Sequence, residues 1–297
     1  MGHAAVITWN LLGRPNSREP SALAEASQRV STCMSWLRRH LEGAGIDRAV
    51  IVFQEVPDGF DALLASATDT KMQVVADALH HVAVATFGPL KVTGKEGIAD
   101  TSSGTAKRAV RVDVEGLLDE PVRLVGVHWL DRHNLHGDAR ASKGGKFWSA
   151  VRLQWHNPTR PHFIVLGDLN ENPFDHALVS RECLWAIRDR RDLDGRSSHI
   201  DGNPPLYNPM WQFLPERLSP EHGPHGTIEY LNNDEDGVRW SHIDQILLSP
   251  SAVDFLRRVE ILVDLDGEKL VSPRGVPDRR RASDHLPVMA ILGEPNV

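Results

Sequence analysis

Short apolar runs alternate along the chain with polar breaks rich in Gly, Pro, Asn and Asp. Runs at 5–9, 49–56, 81–87, 109–114, 122–129, 163–169, 242–249, 260–263 and 288–292 read as strands. Most are short, β-branched and bounded by Gly, Pro or Asp. The clearest helix spans 21–41. There Leu23, Ala26, Val30, Met34, Leu37 and Leu41 recur at three- and four-residue steps and build one apolar face. Ser21 with Glu25 is a start signal, and Gly43 and Gly45 are a stop. Shorter helices are expected at 58–67 and 145–156. The segments 195–226 and 266–283 read as loops, and loops of that length usually carry function or move.

No internal repeat, low-complexity tract or linker breaks the pattern, so a single domain over 1–297 is expected. Strands occur in both halves without strict strand–helix alternation. That predicts a mixed, largely antiparallel layered α/β fold rather than a doubly wound parallel sheet. A chain of 297 residues is long enough for a large core. No apolar run reaches the roughly 18 residues that a membrane span needs. The N-terminal residues run straight into a strand without a signal-peptide pattern. Cys33 and Cys183 are the two cysteines and lie far apart, which argues against a disulfide framework and for a reducing, cytoplasmic location.

The net charge of −7 weakens a bulk affinity for nucleic acid. It does not exclude a nucleic-acid substrate, because carboxylates that hold a divalent cation lower the net charge without repelling a metal-bridged phosphate.

The candidate chemistry lies at strand ends. "VITWN" ends on Asn10, and "VIVFQEV" carries Gln54 and Glu55 in an apolar run. "LVGVHWLD" ends on His128 and Asp131, and "FIVLGDLN" on Asp168 and Asn170. "WSHIDQILL" holds Asp244, and "RASDHLPVMAIL" places Asp284 and His285 before its apolar run. A buried polar group without a partner costs about 1–3 kcal/mol, and a charge costs more. Six such interruptions, all beside strand ends, are hard to explain one by one. If the ends converge, Glu55, Asp168, Asp244 and Asp284 form a carboxylate cluster that requires a cation. Hard oxygen donors point to Mg2+, with Mn2+ as a near substitute. The two imidazoles offer phosphate contacts and proton transfer near neutral pH.

The motifs "TWN", "QEV", "VHW", "GDLN", "IDQILLS" and "SDHLPV" occur in the order found in the endonuclease/exonuclease/phosphatase superfamily, and the chain resembles it over 10–288. The resemblance implies the deoxyribonuclease-I-like fold, a four-layer α/β sandwich. In it two mixed, mostly antiparallel sheets pack face to face with helices outside. It also implies metal-dependent phosphodiester hydrolysis, giving a phosphomonoester and an alcohol. By that resemblance Asn10 and Glu55 form the metal site, with Glu55 the direct ligand and Asp284 a further metal-side carboxylate. Asp168 orients or deprotonates the attacking water, and Asn170 binds the scissile phosphate. His285 stands at the phosphate, paired with Asp244, and His128 touches the phosphate or leaving group. One position departs from the pattern. Several branches carry an acid two residues after the strand Asn, where this chain has Leu12, which cannot ligate a metal.

Other features read as structural. "GPLKVTGK" at 88–95 lacks the spacing and the Ser or Thr of a phosphate-binding loop. "NNDEDG" at 232–237 reads as a polar turn, because Ile243 stands where a calcium loop needs Glu. Trp36, Trp148, Trp155 and Trp185 read as core, and His133 and His136 as solvent-facing. Arg274, Arg279, Arg280 and Arg281 precede Asp284 and are expected to hang over the site toward a polyanion, with Arg140, Lys143 and Lys146 as the facing edge. The leading expectation is a nuclease acting on DNA or RNA. An alternative keeps the chemistry but takes a small-molecule or lipid phosphoester, which the negative charge and a 195–226 lid would suit. A third is an inactive binding module, against which the complete residue set speaks.

Overall fold

The computed structural model describes residues 3–14, 19–78, 81–99, 107–131, 137–155, 161–193, 204–214, 224–230 and 239–295. The first half carries β1 (His3–Asn10), α1 (Pro20–Gly43), β2 (Ile46–Gln54), α2 (Phe60–Ala67), β3 (Met72–Ala78), β4 (Val82–Phe87), β5 (Lys91–Ala99), β6 (Lys107–Glu115) and β7 (Val122–His128). Next come α3 (Gly137–Leu153), β8 (His162–Asp168), α4 (His176–Val179), β9 (Ala186–Ile187), β10 (Leu206–Tyr207), β11 (Ile228–Glu229), β12 (Trp240–Ser241) and β13 (Asp244–Leu248). The chain ends with α5 (Pro250–Val253), β14 (Leu256–Ile261), β15 (Asp264–Leu265), β16 (Glu268–Lys269) and β17 (Val288–Leu292).

The strands form two large mixed sheets. One has the order β14-β17-β1-β2-β4-β3, and the other β5-β6-β7-β8-β13-β10-β9. Each has a central parallel pair, β1 with β2 and β7 with β8, flanked by antiparallel partners, and the second sheet adds a parallel β9–β10 pair at its far edge. The pairing pattern is shared but the chain threads it differently, which agrees with the lack of a sequence repeat. Parallel neighbours end on the same rim. Asn10 therefore sits beside Gln54, and His128 beside Asp168. Their antiparallel neighbours begin on that rim, so Asp244 pairs with Asp168 and Thr8 with Val288. This register is why polar residues from separate segments collect at one end of the sandwich.

Side-chain alternation separates the layers. Val112, Leu124, Ile164, Leu166 and Ile246 face the first sheet in the main core, whereas Val125, Val127, Phe163, Val165 and Leu247 pack with Phe147, Trp148 and Val151 of α3. The buried stripe of α1, Val30, Cys33, Met34, Leu37 and Leu41, covers the first sheet from outside. The four tryptophans read as core are all buried.

The expected strands are present, with ends shifted by a few residues. Several two-residue strands and two long ones escape the pattern; the long ones, β3 and β5, are both sheet edges. Edge strands carry charged and small residues that discourage pairing with other chains, so their apolar alternation is weak. "GPLKVTGK" leads into β5, whose register shifts between Val92 and Gly94. Helix α3 begins at Gly137 rather than 145, because its first turns are polar and Gly-rich. No described helix is long and apolar enough to cross a membrane.

Candidate active site

Two turns of the same design build the rim. At the end of β1, Asn10 Oδ1 accepts the Leu12 N–H at 3.1 Å. At the end of β8, Asp168 Oδ1 accepts the Asn170 N–H at 3.0 Å. In each turn the residue two positions on is left-handed, Leu12 at φ 47° and Asn170 at φ 49°. Glu55, following β2, adopts φ 51°. Left-handed non-glycine residues cost on the order of 1–3 kcal/mol each and persist where surrounding contacts hold them. Three of them surround one site, and Leu12 closes its turn through its backbone.

Gly167 sets the direction of Asp168. Its φ is 152°, and a Cβ there would lie 2.0 Å from the Val127 carbonyl oxygen. Gly167→Ala is expected to lose on the order of 3 kcal/mol or more of stability, or to fail to fold, because backbone atoms of the neighbouring strand cannot give way. A thermal melt of the purified variant, or its absence from the soluble fraction, checks this.

The side chains then interlock. Asn10 Nδ2 donates to Glu55 Oε1 at 3.2 Å and to Asp168 Oδ2 at 3.1 Å, tying the two sheets together. In this arrangement its oxygen is occupied by the turn and its amide N–H group faces the carboxylates. His128 Nε2 lies 3.7 Å from Glu55 Oε1 and 3.9 Å from Asp168 Oδ2. His285 Nδ1 donates to Asp244 Oδ2 at 2.8 Å and lies 4.0 Å from Asp168 Oδ2. The segment before β17 is held by Ser283 Oγ, which donates to the Asn10 carbonyl at 2.6 Å, and by Trp9 Nε1, which donates to the His285 carbonyl at 3.2 Å. Asn170 Nδ2 donates to the Trp129 carbonyl at 3.0 Å. A cavity of about 250 Å³ opens over these groups, lined among others by Glu55, Arg108, His128, Asp168, Asn170 and His285.

Burial and charge set the protonation states. Burial pushes the Asp168 carboxyl up to about 7; His285 opposes the rise and Asp244 adds to it. Burial alone would lower His285, but the charge and hydrogen bond of Asp244, with Asp168 and Asp284, outweigh it and hold the imidazole protonated well above its usual range. His128 is driven the other way, down to about 3, by burial and by the nearby Arg108, His81 and His285. The rim thus holds one cationic and one neutral imidazole beside a carboxyl poised near neutrality, the divergence expected of an acid–base site.

Asn10, Glu55, His128, Asp168, Asn170, Asp244 and His285 are brought together. Asp284 is half-buried beside them, near Ser283 Oγ, and acts by charge on His285 and Arg29; like Asn10 and Asp244 it is not part of the cavity lining. Asp168, Asp244 and His285 are close enough to share a metal ion. However, a His285 Nδ1–H that donates to Asp244 is not a ligand atom, and the geometry is that of an imidazole oriented by a carboxylate.

The four arginines of the basic loop are exposed, and none is among the residues lining the cavity. Arg281 pairs with Glu268 and stacks over Trp36 at 5.3 Å, and Arg279 lies near enough to Arg29 to act on it by charge. Lys143 and Lys146 lie on α3, also outside that lining. The Arg140 side chain, His133, His136 and 232–237 lie outside the described residues, as does most of 195–226.

Arg108 was not anticipated as a site residue. It lines the cavity with its Nη1 3.4 Å from His81 Nδ1. Its signal is local: Arg108 continues the alternate face of Val110, Val112 and Val114, all three buried in the main core. A cation in step with three buried valines must emerge at the sandwich rim.

This two-sheet α/β architecture is shared with solved structures that include an endonuclease/exonuclease/phosphatase family protein. Similar solved structures include truncated Caenorhabditis elegans TDP2, with TM-score 0.55 and 17% identity over 98% of this chain and 97% of that one. A Bacteroides thetaiotaomicron endonuclease/exonuclease/phosphatase family protein has TM-score 0.57 and 14% identity over 98% of both chains. The 3'-5' exonuclease NExo from Neisseria meningitidis has TM-score 0.55 and 20% identity over 96% of this chain and 98% of that one. No protein-family model and no curated protein matches the sequence.

Proposed function

We propose that this chain is a divalent-metal-dependent phosphodiesterase that hydrolyses DNA or RNA. The observation that carries the reading is the interlocked rim: a carboxyl near neutrality (Asp168), an oriented imidazolium (His285 on Asp244), and Glu55 tied to Asp168 through Asn10. The donor set fits a hard cation. Glu55 and Asp168 approach the same His128 nitrogen, and Asp168 is raised partly by the charges of Asp244 and Glu55, a crowding that a bound cation would relieve. Glu55 is the residue that would hold Mg2+ or Mn2+, with Asn10 and Asp284 as supporting positions; the ion supplies Lewis-acid polarisation of a phosphoryl oxygen.

The chain's own groups do the rest. Asp168 orients a water and takes its proton. The His285 N–H facing away from Asp244 donates to a phosphoryl oxygen as charge builds there. Neutral His128 donates from its protonated ring nitrogen to the phosphate or the leaving oxygen, and Asn170 steadies a phosphate oxygen. Buried free thiols at Cys33 and Cys183 support a reducing, cytoplasmic setting. Contribution of both sheets to one rim supports a single catalytic unit over 1–297.

Two proteins of this fold have DNA bound, D. rerio TDP2 with a single-strand DNA product and Neisseria NExo with a product DNA hairpin; both support a nucleic-acid substrate. The size of the cavity, about 250 Å³, favours a second reading, a small phosphoester filling it alone. The test is hydrolysis of single- and double-stranded DNA and RNA, and of small phosphodiesters and phosphomonoesters, with Mg2+, Mn2+ or chelator. Metal-dependent cleavage of a polymer is the expected result. Turnover of small esters alone would establish the second reading, and no turnover with bound metal would leave a binding module.

A further inference from the structure

We propose that Arg29, on α1, is a positioning residue that clamps the two catalytic loops to each other; the inference rests on the function proposed above. The Arg29 guanidinium is half-buried and is spent on backbone carbonyls. Its Nη1 donates to the Leu11 carbonyl at 2.9 Å and to the Ala282 carbonyl, and its Nη2 donates to the Leu12 carbonyl at 2.6 Å. Leu11 and Leu12 belong to the turn that Asn10 opens. Ala282 belongs to the segment that carries Ser283, Asp284 and His285. One planar group therefore holds both loops.

The backbone donors of the turn are engaged elsewhere. Leu11 N–H is given to the Gln54 carbonyl at 3.0 Å, and Gly13 N–H to the Glu55 carbonyl at 2.7 Å. The Leu11 and Gly13 donors face the end of β2, while the Leu11 and Leu12 carbonyls face Arg29 of α1. The left-handed Leu12 turns its carbonyl out of line with the strand. Three carbonyl oxygens on one cation, with the Asp284 carboxylate acting on it by charge, form a small electrostatic socket that Arg29 fills. What the socket fixes is the site. Asn10 spans Glu55 and Asp168, and the Ser283 hydroxyl hangs the Asp284–His285 backbone from the Asn10 carbonyl.

An arginine that served only to pack α1 would change the melting temperature and little else. A clamp changes local order and turnover. The experiment compares wild type, Arg29→Lys and Arg29→Met by hydrogen exchange with mass spectrometry and by steady-state kinetics on whichever phosphodiester the wild type cleaves. For Arg29→Met, peptides covering 9–13 and 282–286 are expected to exchange about 10-fold faster, while the β7 and β8 peptides keep their protection. The kcat is expected to fall about 10- to 100-fold with KM within about two-fold, the range seen when supports of a reactive group are lost. Arg29→Lys keeps a cation with three donors but loses the fork, and should recover part of both effects. Unchanged exchange in both peptides, faster exchange in one loop alone, or wild-type kcat in a folded variant would overturn the clamp. If Arg29→Met does not fold, the same readouts on Arg29→Lys decide. If the wild type cleaves no phosphoester, the proposed function fails while the exchange data still decide whether Arg29 holds the two loops.

Discussion

Asp168→Asn is expected to be inactive and yet more stable than wild type in metal-free buffer at pH 8. The loss of activity should be at least about 10³-fold, within the range for removing a general base. The gain in stability follows from linkage. The carboxyl is raised in the fold from its ordinary 3.8 to about 7. The folded state therefore binds a proton that the unfolded state has released between those values, and the cost of ionising Asp168 grows as pH rises through that window. At about 1.4 kcal/mol per unit the cost reaches about 4 kcal/mol at most. The variant loses the hydrogen bond from Asn10, worth about 1 kcal/mol. A net gain on the order of 2–3 kcal/mol remains at pH 8, shrinking as pH falls toward 4. Urea unfolding in chelator at pH 4, 6 and 8 reads it. An Asp168→Asn variant that is less stable than wild type at pH 8 would show that the ionised carboxylate is well accommodated without metal.

Glu55→Ala should abolish turnover at every Mg2+ or Mn2+ concentration and remove the rise in melting temperature that these ions give the wild type. Ligand at free concentration L that binds only the folded state stabilises it by RT ln(1 + L/Kd), so the thermal shift reports the site directly. The fold should survive. The Glu55 side chain is about a third exposed, and the strain of its left-handed backbone is no worse with alanine. Glu55→Gly should be equally inactive but more stable than Glu55→Ala by about 1 kcal/mol, because glycine takes φ 51° without strain. A retained metal shift in either variant would move the ion to the Asp168, Asp244 and His285 group.

The two predictions draw on residues that the chain announces on its own. Asp168 follows an apolar strand and a glycine, and Glu55 ends another strand; both signals are local. Other parts were hidden for physical reasons. The edge strands β3 and β5 lack alternation because solvent and partner-avoidance shape edges more than burial does. Arg281 lies in a basic run near Asp284, and the run by itself does not name its neighbours. Packing gives it Glu268 and the face of Trp36. Arg29 sits in an amphipathic helix and carries no mark of its role, since its partners are backbone carbonyls that any sequence would supply.

By itself the sequence determined where strands stop and which polar groups stand at their ends, because period, β-branching, glycine and proline act over a few residues. The tertiary structure decided who meets whom. Asn10 reaches Asp168 across 158 positions only because the two sheets pack face to face with their parallel pairs ending on the same rim. The same packing sorts the arginines, placing Arg108 in the cavity, Arg29 behind the loops and Arg281 on Trp36. A guanidinium's charge is written in the chain, but the acid, ring or carbonyl it meets depends on contacts between segments that are remote in sequence.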